Sequence, residues 1–212
     1  MNYLFFDIEC ATCREGQGRI CEFGYVLTNE SFEIVDSGEF LINPKSTFDW
    51  YALANILHFT KQEYKSKPTF DQVYSQIAQI LNKENQLIFG QAVQNDVKFL
   101  FDESLRYSLP IIDVEFCDIS LIYKKLNNLE EPRSLEKMTE ELGLETPNQL
   151  HRAQDDSFST MKVLKSITEK YQLSVPSLIK KGFAVFSRMN FEKATKKRQK
   201  RKSKSKKDKK GD

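Results

Sequence analysis

The chain has 212 residues, 40% hydrophobic and 29% charged, with 32 Lys/Arg against 30 Asp/Glu for a net charge of +2. That balance suits one soluble globular domain with a real core plus a tail, and no run reaches the roughly 20 apolar residues of a membrane-spanning helix. The start, Met1-Asn2-Tyr3, carries no basic stretch, so no secretory leader and no membrane association are expected.

The cysteines Cys10, Cys13, Cys21 and Cys117 make no disulfide framework for a chain of this size. A reducing, cytoplasmic location is expected. Cys10 and Cys13 form a CxxC without the second pair that zinc sites use; the pair is either a metal or redox element or a turn that carries two thiols. The net charge conceals an asymmetry. Residues 192–212 contain twelve Lys/Arg and three Asp/Glu, a net of +9, which leaves −7 on the rest of the chain.

Taken in order, residues 3–8 are an apolar run of strand length. Residues 19–28 and 31–42 read as two more strands joined at Thr28-Asn29-Glu30, an antiparallel meander closed by Asn43-Pro44. Thr60 with Glu63 three residues on predicts a capping box and a short helix that Pro68 ends. Phe70, Val73, Ile77, Ile80 and Leu81 recur at helical spacing. Residues 86–89 read as a short buried strand ended by Gly90. Val93, Val97, Leu100, Phe101 and Leu105 mark the next helix, and residues 111–116 another strand. Ser134 caps a helix that runs to Leu142 with Gly143 as its stop. Phe158, Met161, Leu164 and Ile167 belong to a last helix.

Strands first, then strands and helices alternating, predict an α/β domain with a mixed sheet flanked by helices over residues 1–171. A C-terminal extension follows over 172–191. Its Phe183, Val185, Phe186 and Phe191 are free to pack on the domain or on a partner. Residues 192–212 form a Lys/Arg-rich tail that cannot bury a core and is expected to be disordered.

Three places carry candidate chemistry. Asp7 and Glu9 close the first strand, and residues two apart on a strand share a face. Two adjacent carboxylates repel, and a divalent cation relieves them; alternatively the strand end simply reaches solvent. Asp96 shares the inward face of its helix with Val93 and Leu100, where a carboxylate needs a partner, although Asp is also favoured at helix starts. His151 and Asp156 precede and open the last helix, and histidine is suited to proton transfer near neutral pH. The other histidine, His58, lies between Leu57 and Phe59 with no acidic neighbour of interest and reads as a packing or surface residue.

The ordered set is more specific than its members. Phe6-Asp7-Ile8-Glu9, then the segment from Gly90 to Leu100 with Asp96, then His151-Arg152-Ala153-Gln154-Asp155-Asp156 resembles the three motifs of the DEDDh (DnaQ-like) 3′→5′ exonucleases, over about residues 3–170. The stretch from Leu57 to Phe70 is similar to the family's segment between its first two motifs. Cys10 stands where the family has Thr, and Gly90-Gln91-Ala92 where it often has Gly-His-Asn.

The resemblance implies a ribonuclease H-like fold and an active site of Asp7, Glu9, Asp96, His151 and Asp156. It implies that Asp7, Glu9, Asp96 and Asp156 hold two Mg²⁺ or Mn²⁺ ions, Asp7 bridging them, and that His151 takes the proton of the attacking water. The expected reaction releases nucleoside 5′-monophosphates from the 3′-end of a single strand, DNA slightly favoured over RNA. A non-catalytic nucleic-acid-binding or interaction module on the same scaffold is the rival reading. Relatives point to a homodimer, or to a polymerase or replication partner. Lys196, Lys197, Arg198, Lys200, Arg201 and Lys202 suit phosphate contacts without sequence specificity, or else a solubilising or address function.

Overall fold

The computed structural model describes residues 1–12, 18–145 and 151–196. The sheet has the order β3-β2-β1-β4-β5. β1 (Asn2–Cys10), β2 (Ile20–Thr28) and β3 (Ile34–Leu41) form the antiparallel meander. β4 (Gln86–Gly90) and β5 (Phe116–Asp118) join it parallel to β1. β1 therefore lies at the centre and is apolar on both faces. Its alternation sends Leu4, Phe6, Ile8 and Cys10 into one core and Tyr3 and Phe5 into the other. Asp7 and Glu9 continue the second face beyond the last aromatic ring.

The first core lies beneath α3 (Phe70–Leu81) and α4 (Gln94–Arg106), which contribute Phe70, Val73, Ile77, Val97 and Leu100. The second is covered by α5 (Ile119–Leu126), α6 (Leu135–Glu141), α7 (Ala153–Lys170) and α8 (Val175–Lys180). The fold is thus a mixed five-stranded sheet with helices on both sides, as expected. A third, smaller cluster joins Ala11 and Cys21 to α1 (Trp50–Asn55), α2 (Lys61–Lys65) and their connection, through Ala52, Leu57 and Tyr64.

Local chemistry accounts for the boundaries. Thr60 and Thr69 close capping boxes with Glu63 and Gln72 at the starts of α2 and α3. Ser134 caps α6, and Gly143, at φ 65°, ends it. The connection from β2 to β3 is longer than Thr28-Asn29-Glu30: the Asn29 side-chain oxygen accepts the backbone N–H of Ser31 and of Glu33 at 2.9 and 3.0 Å.

Three expectations are corrected. The strand expected over 111–116 begins only at Phe116, because β4 is so short that its ladder with β5 holds three residue pairs, Ile88 with Phe116, Phe89 with Cys117 and Gly90 with Asp118. Residues 111–115 keep the alternating burial of a strand without its pairing. Leu105 faces outward, 39% exposed. The helices α1, α5 and α8 had no counterpart among the expected elements.

The extension packs on this domain. Leu178 and Ala184 are buried in the second core, Ser187 exchanges two 3.0 Å backbone hydrogen bonds with Phe116, Phe186 meets Phe89 edge to face, and Phe191 lies tilted against Phe101. Among the described residues no helix is long and apolar enough to cross a membrane. Cys10, Cys21 and Cys117 are buried, whereas Cys13 lies outside the described residues. Lys196 is exposed; Lys197, Arg198, Lys200, Arg201 and Lys202 lie outside the described residues.

Candidate active site

Two glycines let the site assemble at the end of β1. Gly24 on β2 pairs with Asp7. A Cβ there would stand 2.2 Å from the Ala153 carbonyl carbon and the Gln154 nitrogen, so only glycine allows the first turn of α7 to rest on β2 beside Asp7. Ser157 fastens the contact, its hydroxyl 3.0 Å from the Gly24 carbonyl and 2.7 Å from that of Ala153. This places Asp156, 8% exposed, against the end of β1. Gly90 does the same for α4, since a Cβ would meet Val93 at 2.7 Å and the Phe6 carbonyl at 3.3 Å. The tight turn that follows, with Ala92 at φ 50°, delivers Asp96, 6% exposed, in the first turn of α4.

His151 sits just before α7 in the left-handed region, at φ 64°, a conformation that costs energy for a residue with a side chain and gathers at functional sites. The ligating atoms of Glu9, His151 and Asp156 all lie within 4.8 Å of one another. Of the five residues named from the motifs, these three therefore converge directly. Asp7 and Asp96 join them through their charges.

Burial and mutual repulsion dominate the electrostatics. Asp7 is held well above the usual carboxylate range by burial, then by Asp156 and Glu22. Glu9 is pushed up to about 10 by burial, then by Asp7, Asp156, Glu22 and Asp96. Burial raises Asp156 to about 7; the His151 backbone N–H and the His58 side chain oppose this, while Asp155 and Glu22 reinforce it. Such a group favours a proton or a cation over free negative charge. The donors are carboxylate oxygens with one imidazole at the edge, a set that suits Mg²⁺ or Mn²⁺.

The sequence reading missed three neighbours. Glu22 pairs directly with Glu9 across the β1–β2 ladder, just before a bulge that sets Cys10 against Ile20. It is fully buried, accepts the Tyr64 hydroxyl, and lies 3.5 Å from the Ala153 N–H and 3.7 Å from the Arg152 Nε. A charged residue within the otherwise apolar Ile20-Cys21-Glu22-Phe23 was the available sign. Arg152 also forms a bidentate pair with Glu39 and lies 4.8 Å over the Phe59 ring, which ties the start of α7 to the segment after α1. His58 is exposed, the surface residue expected, but its acidic neighbourhood was missed: it acts on Asp156 in the direction that favours the ionised carboxylate.

Two β-strand carboxylates are thus met by carboxylates from two helix starts on a mixed α/β sheet, an arrangement whose oxygen donors could hold a divalent cation. An exonuclease family model (RNase_T) matches residues 4–164, and the chain belongs to that family. Its fold is ribonuclease H-like. The nuclease domain of 3′hExo, a DEDDh family member bound to rAMP, superposes with a TM-score of 0.69 at 21% identity, over 80% of this chain and 92% of that domain. The single-stranded-DNA complex of Escherichia coli exonuclease I, in its zinc-bound form, gives 0.72 at 18% identity over 84% of this chain and 43% of that one. A 3′-exonuclease bound at the 3′-end of a histone mRNA stem-loop gives 0.69 at 20% identity over 80% and 64%. The chain thus spans less than two thirds of the latter two proteins. No curated protein sequence matches it.

Proposed function

We propose that the protein is a divalent-metal-dependent 3′→5′ exonuclease that releases nucleoside 5′-monophosphates from single-stranded nucleic acid, DNA favoured slightly over RNA. The observation that carries this reading is the convergence of Glu9, His151 and Asp156 beside Asp7. Two Mg²⁺ or Mn²⁺ ions, when bound, would supply positive charge to the attacking and leaving oxygens of the phosphodiester. Asp7, Glu9, Asp96 and Asp156 are the oxygen donors that would hold them.

The protein's own groups complete the chemistry. His151, exposed at the mouth of the cluster, accepts at its free ring nitrogen the proton of the attacking water. The water oxygen bonds to phosphorus, the bond from phosphorus to the 3′-oxygen breaks, and that oxygen is protonated from solvent. The hydrogen bond from the His151 backbone to Asp156 fixes the distance between base and carboxylate. Arg152, held by Glu22 and Glu39, sets the entry of α7 and hence the placement of both.

Substrate must reach an acidic body, −7 without the tail. The Lys/Arg-rich tail from Lys196 through Lys202 supplies long-range attraction for phosphates. Truncation after Phe191 is expected to keep kcat while weakening single-strand binding at low salt and flattening its salt dependence; an unchanged slope would remove the tail from substrate capture. Chromatography of the products from matched DNA and RNA strands tests the reaction itself. Nucleoside 5′-monophosphates in the presence of Mg²⁺ or Mn²⁺ support it, and 3′-monophosphates or oligonucleotide fragments contradict it.

A further inference from the structure

Trp50, the only tryptophan of the chain, is 79% exposed, and Tyr51 beside it is 64% exposed. Large aromatic surface left in water at one place calls for a partner. Both residues open α1, which is mounted by Ala52 and, in the connection after it, Leu57, buried with Ala11, Cys21 and Tyr64 in the third cluster. The mounting reaches the active site at two points. At the start of α1 the Asp49 N–H donates to the Ala11 carbonyl at 2.9 Å, and Ala11 lies two residues past Glu9. At the other end His58 acts on Asp156 and Phe59 stacks under Arg152. Three residue steps of about 3.8 Å and the hydrogen-bonded link keep the Trp50 backbone no more than about 16 Å from that of Glu9, within a few nucleotides of the proposed scissile bond.

We infer that Trp50 and Tyr51 form a stacking platform for bases of the single strand upstream of the 3′-end being cleaved. The inference rests on the exonuclease reading of the site. The acidic body makes the chemistry specific: phosphate contacts near the carboxylates are unfavourable without metal, whereas the face of a nucleobase carries no charge and stacks on an aromatic ring whatever its sequence. Neighbouring positions on a helix diverge by about 100°, so Trp50 and Tyr51 offer adjoining faces rather than one slot, which fits a strand that slides by one nucleotide at each turnover.

Trp50 is its own reporter, because no other residue gives tryptophan fluorescence. The test compares a single-stranded oligonucleotide with thymidine 5′-monophosphate p-nitrophenyl ester, which offers the same phosphodiester chemistry and no upstream base. Expected are quenching of Trp50 fluorescence on mixing the wild-type protein with oligonucleotide and Mg²⁺, and a fall of about 10- to 100-fold in the ratio of kcat/KM for oligonucleotide to that for ester in Trp50→Ala, the loss of one stacked base. Trp50→Phe should recover most of that ratio, since it keeps a ring. No quenching together with an unchanged ratio, or equal losses on both substrates, would overturn the platform. Failure of the wild-type protein to cleave either substrate would instead refute the exonuclease reading; quenching in that case would leave the platform standing as a single-strand binding surface, and its absence would remove both.

Discussion

Asp156 shows most clearly what the site demands of a single residue. It is buried, faces Asp7 and Glu9, and is raised to about 7 by burial against the restraint of the His151 N–H. Its negative charge is disfavoured in the metal-free protein, and under the proposed function it would be needed to hold a divalent ion. Asp156→Asn is therefore expected to separate the two. With chelator at pH 8 the variant should melt higher than wild type, by about 2–4 °C for each kcal/mol of repulsion removed. With Mg²⁺ its cleavage rate should fall by more than about 100-fold, beyond the cost of losing a supporting contact. Calorimetry and a cleavage assay on one preparation check both; a variant both less stable and fully active would contradict the assignment.

At this scale Asp7, Glu9, Asp96, His151 and Asp156 could be proposed from the sequence because each sits in a short ordered motif, and the structure brings the ligating atoms of Glu9, His151 and Asp156 together. Glu22 was not. Its partners are Glu9 on the neighbouring strand, Tyr64 on α2 and Arg152 before α7, and that company depends on strand register and on the bulge after it. A lone charge in an apolar strand signals that something is paired there, without saying with what.

Among the elements, α7 is decisive, since it brings in both His151 and Asp156. Its seat depends on the missing side chain of Gly24. Gly24→Ala would drive a methyl to 2.2 Å from the backbone of Ala153 and Gln154. Backbone cannot swing aside as a side chain does, so the start of α7 must lift. The expected result is destabilisation of about 1–3 kcal/mol, read by urea unfolding, together with loss of cleavage although no ligating residue has changed. Retention of wild-type kcat would show that α7 tolerates the shift.

Element-level patterns were legible where burial and backbone pairing go together. The 3.6-residue recurrence through Phe70, Val73, Ile77 and Leu81 became α3, and the Thr60–Glu63 spacing became a capping box. The alternation over residues 111–116 reported burial correctly and pairing wrongly, because an extended segment can bury alternate side chains without joining a ladder. α5 escaped because it starts directly on β5, with Asp118 serving as both the last strand residue and the helix cap.

Across the whole molecule, charge governs stability as well as substrate. Each raised carboxyl holds its proton more tightly folded than unfolded. From the ordinary carboxylate value near pH 4 up to about pH 7 for Asp156, and on toward about pH 10 for Glu9, the folded protein retains protons that the unfolded chain has released. Stability of the metal-free protein therefore falls as pH rises through that window. Added Mg²⁺ or Mn²⁺ binds the folded, ionised cluster and should raise Tm more at pH 8 than at pH 5. A chelated protein whose Tm is flat or climbing between pH 5 and pH 8 would show that these groups do not repel as placed.

The most direct test of the central assignment follows the two ends of one strand. Single-stranded DNA and RNA labelled at either the 5′- or the 3′-end are digested by wild type and by Asp7→Ala, with Mg²⁺ or Mn²⁺ and with chelator. The assignment predicts a 5′-labelled ladder that shortens stepwise and a 3′-label released at once as a mononucleotide, both only with metal and both lost in Asp7→Ala. Cleavage that survives chelation or the substitution, or that proceeds from the 5′-end, would contradict it.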